Sequence, residues 1–515
     1  MLRKTRPIFS RPPLLLALTL LVIMALPAQA HAWAKYQSQN FTVYTDRSER
    51  QIRNLLEELE IFRVIALLQL NLPVAEHENQ RLVIVMFRNN REFQRIMGER
   101  NVAGFFAYTS NGPRMVMGAE RGNLAAAKEI LFHEYVHHLM FEHSAGFTYP
   151  RWYIEGLAEL LGATKVERDS VVVGGRPATA AYMDYYGILG MEDLLQNRGR
   201  GERSDDFEGR FYATAWLLTH YVQIDAAAAE QQMGLKNREY LIRYHQGADS
   251  VTAFEEVFDT SLAEFDRMLS RYARQRRITV RNWTKPDLNV QLTRTAISET
   301  EKNYVLADMA SATGNEGLAL EYLTGTSEGE DYYAEALALQ ALLLNHDEET
   351  AGPAAQLATQ AANQPSASAT AFGSLAHYEF DNYLRLAADG QYLLANDSLE
   401  RAEARARRAI DMDPREFDAL WYLASVMQVK DQPDTALQLL DAAWDAMPAN
   451  LGVRLRIADI LIRRGEIEDA IPLVRSMVGA VHTAELSDRY AELLAQMERG
   501  DVDLRYLDRL MSAEN

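Results

Sequence analysis

At 515 residues, 48% hydrophobic and 24% charged, the chain is too long for one core and too apolar for general disorder, so two or more folded domains are expected. It has no cysteine, which excludes a disulfide framework and a lipid-anchoring cysteine and leaves the core alone to hold the fold. A formal net charge of -19 argues against nucleic acid or an anionic membrane surface as partner.

The N-terminus is the exception to that acidity. Arg3, Lys4, Arg6 and Arg11 precede an apolar run from Leu14 to Leu26, and Pro27-Ala28-Gln29-Ala30 supplies a breaker and an A-x-A pattern. Residues 1–30 therefore read as a signal peptide cleaved near Ala30, because the run is shorter than the ~20 residues a spanning helix needs. Export without cysteines points to a bacterial periplasm or the exterior, with no stable membrane insertion after cleavage.

Next come a strand in FTVYT (41–45), a long helix from Glu49 to Leu70, a strand in RLVIVMF (81–87) and a helix from Asn90 to Met97. GFFAYTS (104–110) and PRMVMGA (113–119) flank Asn111-Gly112 and predict a hairpin. Asn123 is a cap for a helix through LAAAKEILFHEYVHHLMF, and Pro150 opens another, RWYIEGLAELLG. Helical patterning then runs to about residue 275, interrupted at 166–175 and 197–206, and WTKPDLN (283–289) reads as a linker.

Beyond it, Pro414 and Pro448, Ala409 and Ala443, the series Gly390, Ala424, Ala458 and the series Ala402, Ala436, Ala470 all keep a 34-residue step. Small residues at that period let paired helices approach and stack, and the pattern resembles the tetratricopeptide repeat. It is sharpest over about 383–482 and weak over 331–380. Such an array presents a concave face to a protein partner.

The chemistry concentrates in LFHEYVHHL (131–139). His133 and His137, four apart on a helix, can hold one ion, and Glu134 then reaches its open side as a base. A catalytic zinc needs a third protein ligand, for which two residues compete. His143 has the spacing of an extended histidine motif, and YMDYY (182–186) superficially resembles that group's Met-turn, yet Met140 stands where a glycine would break the helix. Glu155 is the other candidate: it and Glu159 share a helix face, so one can reach the ion while the other bonds the outer nitrogen of a ligand histidine, with Gly156 letting the two helices approach.

HEYVH followed by PRWYIEGLAELL resembles the gluzincin metallopeptidases, in particular the peptidase MA-like group with its E-G-x-A-E motif. The resemblance spans roughly residues 33–275, with its specific residues in 130–161. It implies an α+β zincin-like domain over 31–285, one catalytic Zn2+ on His133, His137 and Glu155, Glu134 as general base, and Glu159 supporting a ligand. Nothing in 104–120 matches the GAMEN exopeptidase motif, so endopeptidase action on a protein or peptide is expected. Tyr212, in GRFYATAWLLTHYV, resembles the tyrosine that donates to the oxyanion, with His220 and Arg210 as rivals. An extended substrate is expected to pair with 113–119 as an edge strand.

The whole chain thus reads as a signal peptide, a zinc metallopeptidase domain over 31–285 and an all-α tetratricopeptide-repeat solenoid over 290–500. The alternative is a periplasmic repeat scaffold carrying an inactive protease fold.

Overall fold

A computed structural model describes residues 32–74, 81–98, 104–109, 111–118, 124–143, 146–196, 206–275, 277–345, 349–481 and 484–514. The expected signal peptide, the expected cap at Asn123 and most of the 197–206 stretch lie outside them. Among the described residues no helix is long and apolar enough to cross a membrane.

The N-terminal part is built on a mixed sheet of β1 (Ala34–Gln37), β2 (Phe41–Thr45), β3 (Leu82–Met86), β4 (Gly104–Thr109), β5 (Gly112–Met117) and β9 (Thr293–Ala296), in the order β4-β5-β3-β2-β1-β9. β2, β3 and β5 run parallel, while β1, β4 and β9 pair antiparallel to their neighbours. The hairpin forms one residue earlier than the Asn-Gly pair predicts: Thr109 and Gly112 close the turn, and Gly112 takes a positive φ of 97°. A second sheet, β6 (Lys165–Val166), β7 (Ser170–Val173) and β8 (Arg281–Thr284), accounts for the break at 166–175.

The strand expected to lie at the edge does not. β5 is enclosed between β4 and β3, so GFFAYT, not PRMVMGA, carries the outer edge. The hairpin folds its first strand outward because β5 is taken by parallel pairing with β3.

Strand alternation sorts the core into two layers. Phe41, Val43, Leu82, Ile84, Met86, Met115 and Met117 face α1 (Glu49–Gln69), α3 (Leu124–His143) and α4 (Arg151–Gly162). Tyr44, Val85 and Val116 face α2 (Asn90–Met97) on the other side. That second layer is completed from beyond the expected linker. Tyr304, Val305 and Met309 of α12 (Glu299–Ala312), Leu318 and Leu323 of α13 (Glu316–Leu323) and Leu343 of α14 (Tyr333–Leu344) bury against it. Lys35 Nζ and the Tyr44 hydroxyl both donate to buried Glu301, at 2.7 and 3.0 Å.

Between the two parts the chain forms α5 (Ala180–Tyr186), α6 (Met191–Leu195), α7 (Phe207–Ile224), α8 (Ala226–Glu230), α9 (Met233–His245), α10 (Ser250–Phe258) and α11 (Leu262–Ala273). After α14 come α15 (Ala351–Ala362), α16 (Ala369–Ala388), α17 (Tyr392–Met412), α18 (Phe417–Val429), α19 (Pro433–Ala446), α20 (Leu451–Arg463), α21 (Ile467–Ala480), α22 (Ala484–Arg499) and α23 (Leu504–Glu514). The small residues of the 34-residue step do what that period requires: Ala402, Ala409, Ala424, Ala436, Ala443, Ala458 and Ala470 are all fully buried between helices. The array returns to the N-terminal part, where a Cβ on Gly479 would stand 1.9 Å from the Tyr149 carbonyl oxygen.

The segment 283–289 is therefore no clean boundary. Its first residues belong to β8, and the chain after it supplies an edge strand and the helices that complete one face of the first sheet. Burying each large apolar side chain there is worth about 1.5–3 kcal/mol. A chain ending after residue 285 is expected to bind the dye ANS and to lose cooperative thermal unfolding; a dye-silent fragment with a sharp transition would show this face to be dispensable.

Candidate metal centre

Helix α3 runs without a break through Met140 to His143. One side of it is locked to the first core layer by Leu131, Phe132, Tyr135 and Leu139, with Phe132 stacked on Phe62 of α1 at 3.9 Å between centroids. The 3.6-residue period then turns His133, Glu134 and His137 away from the sheet.

Helix α4 meets that side. A Cβ on Gly162 would lie 3.2 Å from both the Glu129 carbonyl oxygen and the His133 Cβ, so Gly162 sets the α3–α4 approach. Gly156, expected in that role, faces α7 instead: a Cβ there would be 2.3 Å from the Ala215 carbonyl oxygen and the Thr219 hydroxyl. The glycine of E-G-x-A-E thus seats α4 on the helix that carries Tyr212.

The convergence is close. His133 Nε2 and His137 Nε2 are 3.0 Å apart, and Glu155 Oε2 lies 3.4 Å from the first and 3.2 Å from the second. An ion held tetrahedrally at about 2.0–2.1 Å separates its ligand atoms by about 3.3 Å, so two imidazoles and a carboxylate fit a single divalent cation. Among the described residues this is the one group of three such side chains with ligand atoms so gathered. Glu159 Oε1 is 3.2 Å from His133 Nδ1, and the Thr179 hydroxyl donates to Glu159 Oε2.

Burial works against a charge on His133, but hydrogen bonds to Glu155 and Glu159 outweigh it and hold its pKa well above the ordinary histidine value. His137 and Glu155 are buried, whereas His133 and Glu134 open onto a cleft of about 380 Å³ shared with Ile130, Thr179 and Tyr212.

Tyr212 has its ring 6.2 Å from that of His133. Burial, then the charge of Glu155, raises its phenol pKa well above the usual value, so it stays a donor. The rivals are occupied elsewhere. His220 bonds the Tyr272 hydroxyl and the carbonyls of Gly174 and Thr279, and Arg210 donates to the carbonyls of Gly187 and Ile188.

His143, in the last turn of α3, is not in the gathered group. YMDYY forms helix α5 with Met183 in the core, so no Met-turn exists there.

Two residues escaped sequence reasoning. Arg151 is 4% exposed, its guanidinium 4.3 Å above the Phe211 ring and bonded to Glu208 at 2.7 Å, which places a fixed positive charge beside Tyr212. Glu129, one turn before His133, lines the cleft and accepts from the Ala178 amide; burial raises its pKa. The i−4 spacing of Glu129 from His133 was the available signal.

Residues 430–497, spanning α19 to most of α22, match the family model described as tetratricopeptide repeat. No curated protein matches the chain.

The two glycines have different tolerances. Gly156→Ala is expected to cost ~1–3 kcal/mol by overpacking α4 against α7, visible as a lower thermal midpoint. Gly162→Ala should unfold later than Gly156→Ala, because its nearest contacts at 3.2 Å need yield only slightly. The reverse order would mean that α7 can move where α3 cannot.

Proposed function

We propose that the chain is an exported zinc-dependent metallopeptidase of the gluzincin, peptidase MA-like type, acting as an endopeptidase, with the helical repeats recruiting its protein substrate. The observation that carries this reading is the set of three ligand atoms 3.0–3.4 Å apart, beside a cleft-facing glutamate on the same helix.

When bound, Zn2+ supplies a Lewis acid and brings the pKa of its water towards ~7. Glu134 takes a proton from the attacking water and later delivers it to the departing amine. Tyr212, held protonated, donates to the carbonyl oxygen as negative charge grows on it, and Arg151 biases the same region positively. Glu159 fixes the His133 ring through Nδ1. The outer edge of β4 offers backbone groups for an extended chain, and its Gly104 end abuts Ile130 of the cleft wall.

The tetratricopeptide match supports a protein-interaction role for the array and also suits the second reading, a repeat scaffold whose N-terminal fold performs no hydrolysis. Metal analysis with a peptide-library digest separates the two. Wild type should carry about one zinc and cleave within peptides; a metal-free, inert protein would favour the scaffold.

Variants sharpen the assignment. His137→Ala and Glu155→Ala should lose zinc, whereas His143→Ala keeps it; loss on His143→Ala with retention on Glu155→Ala would overturn the ligand set. Glu159→Gln should weaken zinc roughly 10–100-fold without abolishing it. Glu134→Gln should bind zinc normally while kcat falls by about 10²–10⁴, and turnover near wild type would remove Glu134 from the base role.

A further inference from the structure

The edge strand leads to a second pocket. At the far end of β4, Asn111 donates to the Tyr304 hydroxyl and to Asp308, and Arg114 donates to the same Asp308 at 3.2 Å, which anchors the hairpin tip on α12. A pocket of about 420 Å³ opens there between the tip, α14 and the start of α18, with exposed Asp413 and Arg415 at its mouth.

Its polar groups are mostly engaged. Arg114 pairs with Asp308, Arg415 donates to the Asp445 carbonyl, and Glu416 caps α18 by accepting from the Ala419 amide at 2.6 Å. Glu335, in the first turn of α14, is different. It is only 7% exposed and lines the pocket, yet it makes no hydrogen bond or ion pair among the described residues. A carboxylate on a pocket wall with no partner of its own is free to answer a cation brought there. Among the described residues no three His, Cys, Asp or Glu ligand atoms gather here, and a single free carboxylate matches the single charge of an organic cation.

An adjoining space of about 340 Å³ links this pocket to Ala107 and Thr109 of β4 and is walled by Trp421 and Tyr422 of α18. Both spaces share Asn111, Tyr304 and Phe417. The six residues of β4 reach about 20 Å at ~3.3 Å each, so a polypeptide paired along the edge extends from the cleft wall at Ile130 to these spaces.

We propose that the pocket between the β4–β5 hairpin tip and helices α14 and α18 receives a lysine or arginine side chain of the polypeptide bound along β4, with Glu335 as its counter-ion. The pocket is then a distal selectivity site, and the repeat array chooses a residue several positions from the scissile bond. The proposal rests on the peptidase reading only for the path of the polypeptide.

The test uses the full chain carrying Glu134→Gln, so that binding is read without cleavage. Fluorescein-labelled twelve-residue peptide pools, each with Lys, Leu or Glu fixed at one position, are titrated by fluorescence anisotropy. At one position the Lys pool is expected to bind about tenfold tighter than the Leu pool, in keeping with a charge-assisted bond. Adding Glu335→Gln should erase that preference while the Leu pool binds within about twofold as before. Adding Glu335→Lys should move the preference to the Glu pool, a result that mere loss of packing cannot produce.

No basic preference at any position, or one that survives Glu335→Gln, overturns the proposal, as does spermidine competing equally against all pools. The two readings fail separately. Pools bound with the Glu335-dependent preference but never cleaved by wild type would end the peptidase assignment and leave the pocket, whereas cleavage with no such preference would end the pocket alone.

Discussion

The centre of this molecule turns on the carboxylate of Glu155, 1% exposed, set within 3.4 Å of two imidazole nitrogens. A buried carboxylate is costly unless a positive charge and hydrogen bonds answer it. Here Glu159 and cleft-facing Glu134 add further negative charge, and Arg151 is largely committed to Glu208. Against the burial that opposes it, a proton on His133 is favoured by hydrogen bonds to Glu155 and Glu159. Three carboxylates thus stand around one imidazole that burial would otherwise keep neutral.

That arrangement can be imposed only because α4 is clamped. Gly162 admits the backbone of α3 on one flank, and Gly156 admits α7 on the other. With both neighbours at backbone contact, the four-residue step from Glu155 to Glu159 sets one carboxylate against the imidazole Nε2 atoms and the other against His133 Nδ1. The same clamp positions Tyr212, since it stands on α7, on the cleft side of His133.

The sheet performs an equivalent service between the two parts of the chain. One face carries the helices of the candidate metal centre, and the other is closed by α2 together with α12 to α14, which begin the helical array. β4 stands at the margin of both, so its edge runs from the cleft wall to the pockets under α18. Any polypeptide held on that edge would lie beside the cleft at one end and these pockets at the other. The return contact of α21 near Tyr149 and Arg151, at the start of α4, makes the array a brace for the centre as well.

Much was legible in order of residues alone. His133, Glu134 and His137 share a helix face by spacing, Met140 lets that helix continue past where His143 would have to swing back, and the 34-residue recurrence of alanines marks stacked helix pairs, because each is a consequence of helical period and side-chain size. Which glycine faced which helix, which hairpin strand took the outer edge, and where the first sheet ended were decided by contacts between segments distant in sequence. Gly156 and Gly162 look alike in RWYIEGLAELLG and differ only in the backbone opposite them. β5 is interior because β3 accepts it in parallel, and β9 joins β1 from more than 250 residues away. Local periodicity fixes what one element presents along its own axis; it carries no information about the partner that arrives from elsewhere in the chain, and the positions of Glu155, Tyr212 and Glu335 depend on that partner.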